Sequence, residues 1–234
     1  MKSTKPDGSN RDRRIDFLRA AAIVSVFGIH TTTLASNYPV LTLQNVILGV
    51  INVYSYMAVP LFVFISGYVL YTKYSSPEVR WLDFYKKRFM RIIPPYSLAA
   101  VIYYVYFNRW DGRPLSLMEF LRLYLTFNVY PLFWFVRMIL TLYLLFPLFV
   151  KAWKRYGTHL LIVMFAIQFL GQSGTLMYFS GIEWARPLAI EFFSYVFYFT
   201  LGFYASDRRD SWERKTTKFT SPAGATAAIA ASIA

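Results

Sequence analysis

The chain contains no cysteine and only two histidines among its 234 residues. Without cysteine it can form neither a disulfide nor a thiolate metal site, and two histidines are too few for a His-rich metal site. We therefore expect no metal and no bound cofactor. Charge is scarce as well, since only 16% of the residues are charged and the 25 basic residues outnumber the 12 acidic ones.

Charge is absent altogether from Thr31 to Thr72, a run of 42 residues. With 56% hydrophobic residues, the chain is too apolar for one soluble domain, and its long apolar runs are typical of a membrane protein. The net charge of +13 would ordinarily suggest nucleic acid as a partner. Here the basic residues cluster between apolar runs, so we expect membrane lipids around the chain and no nucleic acid.

The apolar runs predict an all-α fold, a polytopic bundle of about six transmembrane helices with a partial seventh. The spans are expected at residues 15–35, 44–71, 94–107, 132–150, 160–179 and 187–205. Pro60 is expected to kink the second span, and Pro94-Pro95 to open the third. The basic residues 73–91 are expected at the membrane surface, and residues 115–130 as an interfacial helix.

Lysine and arginine are distributed unequally between the two sides of this arrangement. If the N-terminus is cytoplasmic, 19 of them fall in inside segments and 4 in outside segments, which favours that orientation. The chain then divides into a basic cytoplasmic tail (residues 1–14), a membrane domain (15–206), a cytoplasmic loop (207–220) and the start of a seventh span (221–234). Fourteen residues cannot cross about 30 Å of hydrocarbon, so we expect that span to be truncated.

The first span carries two ionisable residues, Arg19 and His30. Eleven residues at about 100° each end roughly 20° past three turns, so both side chains share one helix face, about 16 Å apart along the axis. Ionisable groups within a bilayer normally face a protein interior or a wet cavity, which favours a site along this face. The alternative is that Arg19 snorkels to headgroups and His30 bonds a neighbouring helix. A cleaved signal peptide is disfavoured, because residues 15–35 are long enough to span and include a histidine.

Two further arginines, Arg88 and Arg91, lie in the basic segment near the expected inner surface. Together with Arg19 they would hold a cytoplasmic anion, since guanidinium groups suit phosphates. A group extending from that anion would reach His30, whose neutral imidazole is a suitable general base. Binding of anionic lipid is the alternative for Arg88 and Arg91.

Arg137 and Glu191 lie inside the fourth and sixth expected spans, where they would either line a substrate path or pair with each other. Trp134 is a candidate for the same path, although tryptophan is more often a packing or interface anchor.

Five stretches carry a family resemblance in their order along residues 13–205. The first has an arginine, ten residues and a histidine, Arg19 and His30. The others are residues 59–68 (VPLFVFISGY), 87–96 (KRFMRIIPPY), 133–135 with 142–147 (FWF, LYLLFP) and 198–202 (YFTLG). Together they resemble the integral-membrane O-acyltransferases of acyltransferase family 3. Many members have a glutamate where this chain has Ile139, so no acid role is assigned to that span.

The resemblance implies an acyltransferase of groups other than aminoacyl groups. It would move an acyl group, usually acetyl, from cytoplasmic acetyl-CoA or another acyl-CoA to a hydroxyl of a cell-envelope glycan or polysaccharide. His30 would act as base or transient acyl carrier, and Arg19 would help to hold the donor. The resemblance also implies a multi-pass protein of a bacterial plasma membrane. Family members usually have about ten spans, so this chain would lack the last third.

Two other classes of function remain open on the residues alone. A carrier that exports a polysaccharide or lipid-linked glycan without acyl transfer would use Arg19, Arg137 and Glu191 to line its path. A non-catalytic membrane scaffold would tolerate substitution of Arg19 and His30.

Overall fold

A computed structural model describes residues 13–32, 42–172 and 192–209, and the part of the chain that it describes is helical, without strands. The helices are α1 (Arg13–Thr32), α2 (Leu43–Ser55), α3 (Ala58–Tyr74), α4 (Trp81–Trp110), α5 (Leu117–Leu125), α6 (Trp134–Tyr156), α7 (His159–Gln172) and α8 (Val196–Asp207). A 3-10 turn, Pro131–Phe133, leads into α6. The all-α prediction is confirmed.

Three apolar stretches of the described residues are long enough to cross a membrane: Ile15–Thr32, Leu43–Tyr74 and Pro131–Tyr156. They correspond to the first, second and fourth predicted spans. α7 is a shorter apolar helix at the start of the fifth, whose remainder lies outside the described residues. The predicted tail, the loop from residue 210 and the seventh span also lie outside them, and the span count and orientation stay predictions.

The second predicted span consists of two helices, with an interruption just before Pro60. α2 ends at Ser55 and α3 begins at Ala58. In a continuous helix the N–H of residue 60 would bond the carbonyl of Tyr56, but Pro60 has no N–H. The backbone N–H of Leu61 bonds the carbonyl of Met57 at 3.0 Å, so the new helix starts directly after the interruption. The kink expected at Pro60 therefore takes the form of a two-residue interruption, Tyr56-Met57, between α2 and α3.

The prediction that Pro94-Pro95 opens a third span is wrong. Both prolines lie inside α4, a single helix that joins the basic segment to the apolar run behind it. The pair removes the hydrogen bonds to the carbonyls of Met90 and Arg91, and both of those residues are exposed. Buried side chains on either side, Phe84 and Tyr96, hold the two halves in place, so packing prevails over local propensity.

The expected interfacial helix is shorter than residues 115–130, and it has no buried residue. It ends in a Schellman motif, in which Asn128 N–H bonds the Leu123 carbonyl at 2.8 Å and Phe127 N–H bonds the Tyr124 carbonyl at 3.1 Å. Phe127 takes the left-handed backbone conformation of this motif, with φ of 58°. Because glycine usually fills that position, a phenylalanine there is a weak signal for a helix end.

The described chain divides into two compact units, residues up to Ser66 and residues from Gly67 onward. In the first unit, α1 and α2 pack at small residues. A Cβ on Gly28 would overlap the Ser55 hydroxyl. Asn52 donates a hydrogen bond to the Thr32 hydroxyl at 2.7 Å, and Thr32 donates to the Gly28 carbonyl. Close approach at small residues with hydrogen bonds between helices is the usual way in which helices associate in membranes.

Aromatic rings form the core of the second unit. Its fully buried phenylalanines, from α4, α6 and α8, are Phe84, Phe146, Phe199 and Phe203. Phe84 and Phe146 have ring centroids 5.1 Å apart, and Phe199 and Phe203 are 5.3 Å apart. Tyr71 of α3 stacks on Phe203 at 4.7 Å. Each such pair adds about 0.5–1.5 kcal/mol beyond the area that it buries.

α3 and α8 come into backbone contact at one glycine. A Cβ on Gly67 would overlap the Phe199 carbonyl oxygen and lie 2.9 Å from its carbonyl carbon. Further along the same pair of helices, the hydroxyls of Thr72 and Ser206 are 2.7 Å apart. Gly67 therefore sets the distance between these two helices.

We expect Gly67→Ala to lower the stability of the protein in detergent, by about 1–3 kcal/mol, because the added methyl group meets backbone that cannot move aside. The helix propensity of alanine works in the opposite direction by about 1 kcal/mol, so a net loss identifies the steric clash. The measurement is the thermal unfolding midpoint of the purified protein.

The matched control is Gly49→Ala in the interior of α2, where a Cβ meets nothing within 4 Å. This change is expected to be neutral or stabilising by about 0.5–1 kcal/mol. If both variants unfold at the same temperature, the contact between α3 and α8 is not tight.

Candidate functional site

Arg19 and His30 lie on the same continuous helix, α1. Gly28, which contacts α2, is nine residues from Arg19 and two from His30. At about 100° per residue it stands roughly 180° from Arg19 and 160° from His30. α2 therefore packs on the side of α1 away from the two ionisable residues, and both of them are exposed within the described residues.

Arg19 has a weak partner in its own helix. Its Nη1 lies 3.4 Å from Asp16 Oδ1, and 45% of its side chain is exposed. An exposed pair of this kind contributes about 0–1 kcal/mol, so it does not hold the guanidinium strongly against another anion. His30 lies in the last turn of α1.

In the second unit, three aromatic rings surround the guanidinium of Arg88. Its central carbon lies 5.5 Å from the ring centroid of Tyr74 and 5.9 Å from that of Phe84. Tyr143 of α6 is also at 5.9 Å. Aromatic faces attract a cation within about 6 Å, so this cage, defined by the three rings, stabilises the charge without using its hydrogen-bond donors.

One of those donors has no acceptor, since the buried Nε of Arg88 lacks a hydrogen-bond partner in the part of the chain that the structure describes. Leaving a buried donor unsatisfied costs about 1–3 kcal/mol. Arg91, one turn further along α4, is exposed. The cage therefore positions a guanidinium that would gain energy from binding an anion, and Arg91 adds a second cation on a neighbouring position.

Tyr85 ties this part of α4 to α6, because its hydroxyl donates a hydrogen bond to the Leu144 carbonyl at 2.8 Å. Burial raises the pKa of Tyr85 above its ordinary value, so the hydroxyl stays protonated and remains a donor.

The structure gives Arg137 and Trp134 structural partners. Arg137 Nη1 donates to the Thr126 carbonyl at 3.0 Å and lies 3.5 Å from Asn128 Oδ1, which binds the end of α5 to α6. Trp134 stacks on Tyr195 with centroids 5.8 Å apart. Glu191, the predicted partner of Arg137, lies outside the described residues, so that pairing stays a prediction.

The predicted site residues are thus divided between the units, with Arg19 and His30 in the first and Arg88, Arg91, Trp134 and Arg137 in the second. The sequence did not reveal the aromatic cage of Arg88. Phe84, four residues earlier on the same helix, was the only member with a local signal, since residues at this spacing are neighbours on a helix. Tyr74 lies on α3 and Tyr143 lies on α6, so their spacing in the sequence does not indicate the contact.

Comparison with known proteins gives one result. A family model described as an acyltransferase domain, that of acyltransferase family 3, matches residues 12–234. No curated protein and no solved structure matches the chain. The family match covers nearly all of the sequence, including Arg19, His30 and the basic segment of α4. The chain therefore belongs to acyltransferase family 3.

Proposed function

We propose that this protein is an O-acyltransferase of a bacterial plasma membrane, with several spans and a cytoplasmic N-terminus. It would transfer an acyl group, most simply acetyl, from cytoplasmic acyl-CoA to a hydroxyl of a cell-envelope glycan or polysaccharide. The observation that carries this proposal is the placement of Arg19 and His30 on the side of α1 that α2 leaves open, in a chain of acyltransferase family 3.

Coenzyme A is a polyanion, and the chain offers cations suited to it. Arg88 has an unsatisfied Nε and a charge that the aromatic cage supports. Planar guanidinium groups bind phosphates through paired hydrogen bonds. Arg88 and Arg91 would hold phosphates of the donor at the membrane surface, and Arg19 would hold a further anionic or carbonyl group near the inner end of α1.

The reaction exchanges a thioester for an ester. The acceptor hydroxyl oxygen attacks the thioester carbonyl, the new C–O bond forms, and the C–S bond breaks. His30, as general base, takes the hydroxyl proton and returns it to the departing sulfur, so coenzyme A leaves as the thiol. His30 lies about 16 Å beyond Arg19 along α1. This distance suits an extended acyl-CoA whose anionic part is held by Arg19 and whose thioester reaches His30.

Substitution of His30 by alanine is expected to abolish transfer while leaving the protein in the membrane. Loss of a general base typically slows a reaction by about 10²–10⁴-fold. The measurement is the incorporation of label from acetyl-CoA into envelope polysaccharide by membranes that contain the variant.

The control is His159→Ala, which removes the other histidine of the chain, an exposed residue at the start of α7. It should retain transfer. Undiminished transfer by the His30 variant would show that this histidine is not the base, and absence of label with the unaltered protein would favour an exporter.

Arg88→Lys is expected to raise the KM for acyl-CoA by about tenfold and to change kcat much less. Lysine keeps the positive charge but loses the planar donors and part of the contact with the aromatic cage. The measurement is initial rate against acetyl-CoA concentration at fixed acceptor.

Lys87→Ala is the matched control, because Lys87 is an exposed cation next to Arg88. A similar rise in KM for both variants would mean that the segment acts only through its total charge, as it would at an anionic lipid surface.

A further inference from the structure

A cavity of about 270 Å³ lies at the C-terminal end of α4. It is open on one side and lined by the last turns of α4, the connection to α5, α5 itself and residues 129–131. Its walls include Tyr103, Tyr104, Phe107, Asn108, Glu119 and Tyr130. At about 30 Å³ per water molecule, it has room for roughly nine waters, the scale of one small ring with its substituents. None of the predicted site residues lines it.

Flat aromatic rings form one wall of this cavity. The rings of Tyr103 and Tyr130 stack at 4.4 Å with an angle of 13°, and Phe107 stacks on Tyr130 at 5.3 Å with an angle of 11°. Within the described residues, the hydroxyls of Tyr103 and Tyr130 have no hydrogen-bond partner. The wall therefore combines apolar ring surface with two free hydroxyl groups, which both donate and accept.

A carboxylate faces the same space because of an unusual helix start. Ser116 caps α5 and Glu119 stands three residues later, the pattern of a capping box. In that motif the glutamate would accept the Ser116 backbone N–H. Here the Tyr104 hydroxyl accepts this N–H at 3.1 Å and donates to the Ser116 carbonyl at 2.8 Å, with Glu119 Oε2 at 3.2 Å. The Tyr104 hydroxyl thus takes the place of Glu119 in the cap, and the carboxylate remains available to a ligand hydroxyl.

The rim of the cavity is held by a second Schellman motif, which ends α4. Gly112, with φ of 66°, donates to the Arg109 carbonyl at 3.3 Å, and Arg113 N–H bonds the Asn108 carbonyl at 2.8 Å. Asp111 and Arg113 form an ion pair there. The cavity is therefore bounded on this side by a hydrogen-bonded helix end.

The cavity lies far along α4 from Arg88, the arginine proposed to bind the acyl-CoA donor. Arg88 and Asn108 are twenty residues apart on this helix, about 30 Å at 1.5 Å per residue. The hydrocarbon core of a bilayer is about 30 Å thick. If Arg88 binds acyl-CoA at the cytoplasmic surface, the cavity lies at the level of the opposite surface, where an envelope polymer is found.

We propose that this cavity binds one sugar residue of the acceptor, an inference that rests on the proposed acyltransferase function. The part of this ring stack that lines the cavity would pack against the C–H face of the sugar. Glu119 and the hydroxyls of Tyr103 and Tyr130 would exchange hydrogen bonds with its hydroxyl groups. A concave, mainly apolar site with a few convergent polar groups is the usual form of a small-molecule site.

The test uses two conservative variants in the purified protein, Glu119→Gln and Tyr130→Phe. The glutamine keeps the size of the exposed Glu119 side chain, and the phenylalanine keeps the ring stack, so both variants are expected to fold. The probe is envelope polysaccharide from the producing cells, treated with mild base to remove its acyl groups. Each variant should weaken the binding of this polysaccharide by about tenfold, measured without acyl-CoA, since each removes a hydrogen bond of the ligand.

In transfer assays the same variants should raise the KM for the polysaccharide, and the KM for acetyl-CoA should stay close to that of the unaltered protein. Arg122→Gln is the control, an exposed residue on α5 that does not line the cavity. It should bind the polysaccharide normally.

Unchanged polysaccharide binding by both variants, or no binding by the unaltered protein, would overturn the acceptor site. A protein that transfers acetyl groups while both variants bind normally refutes this inference alone. A protein that binds the polysaccharide through Glu119 and Tyr130 but transfers no acyl group refutes the proposed function alone.

Discussion

The cost of placing a guanidinium among apolar side chains decides how the arginines of this protein are arranged. Arg137 meets that cost with the carbonyl of Thr126, and Arg19 meets part of it with Asp16 at a largely exposed position. Arg88 has the support of three ring faces, but these leave its Nε without an acceptor. Aromatic rings stabilise charge and cannot accept the strong hydrogen bonds that a guanidinium donates. Among the described residues, Arg88 is therefore a cation with a buried donor that lacks a partner, which is the property expected of an anion site.

Long helices in this chain depend on tertiary packing more than on local sequence. Pro60 lies in the first turn of α3, after a turn at the exposed residues Tyr56 and Met57, where the local sequence decides the helix start. Pro94 and Pro95 do not break α4, because Phe84 lies in the aromatic core and Tyr96 packs beneath Tyr124 and Phe133. The continuity of α4 has a functional consequence, since it connects the aromatic cage of Arg88 rigidly to the cavity at Asn108.

Much of the helical fold was predictable, because long uncharged runs have few other ways to satisfy their backbone in lipid. The same reasoning placed Arg19 and His30 on one helix face, since the pitch of a helix fixes their relation whatever surrounds it. The ends of α4 and α5 were less predictable. A Schellman motif with Phe127 in the place of glycine gives no compositional signal, and the effect of Pro94-Pro95 depends on side chains from other helices.

The features missed by sequence reasoning share one physical cause. Both the aromatic cage and the cavity are made of tyrosine and phenylalanine, residues that are common throughout this chain and usually serve in packing. Their functional potential comes from polar groups that they leave available. Within the described residues the Nε of Arg88 lacks an acceptor, and the Tyr104 hydroxyl takes the place of Glu119 at the Ser116 N–H. Such incompleteness is visible only when the partners of each polar atom are known. In a chain with few charged residues, the polar atoms left unsatisfied point most directly to where substrates bind.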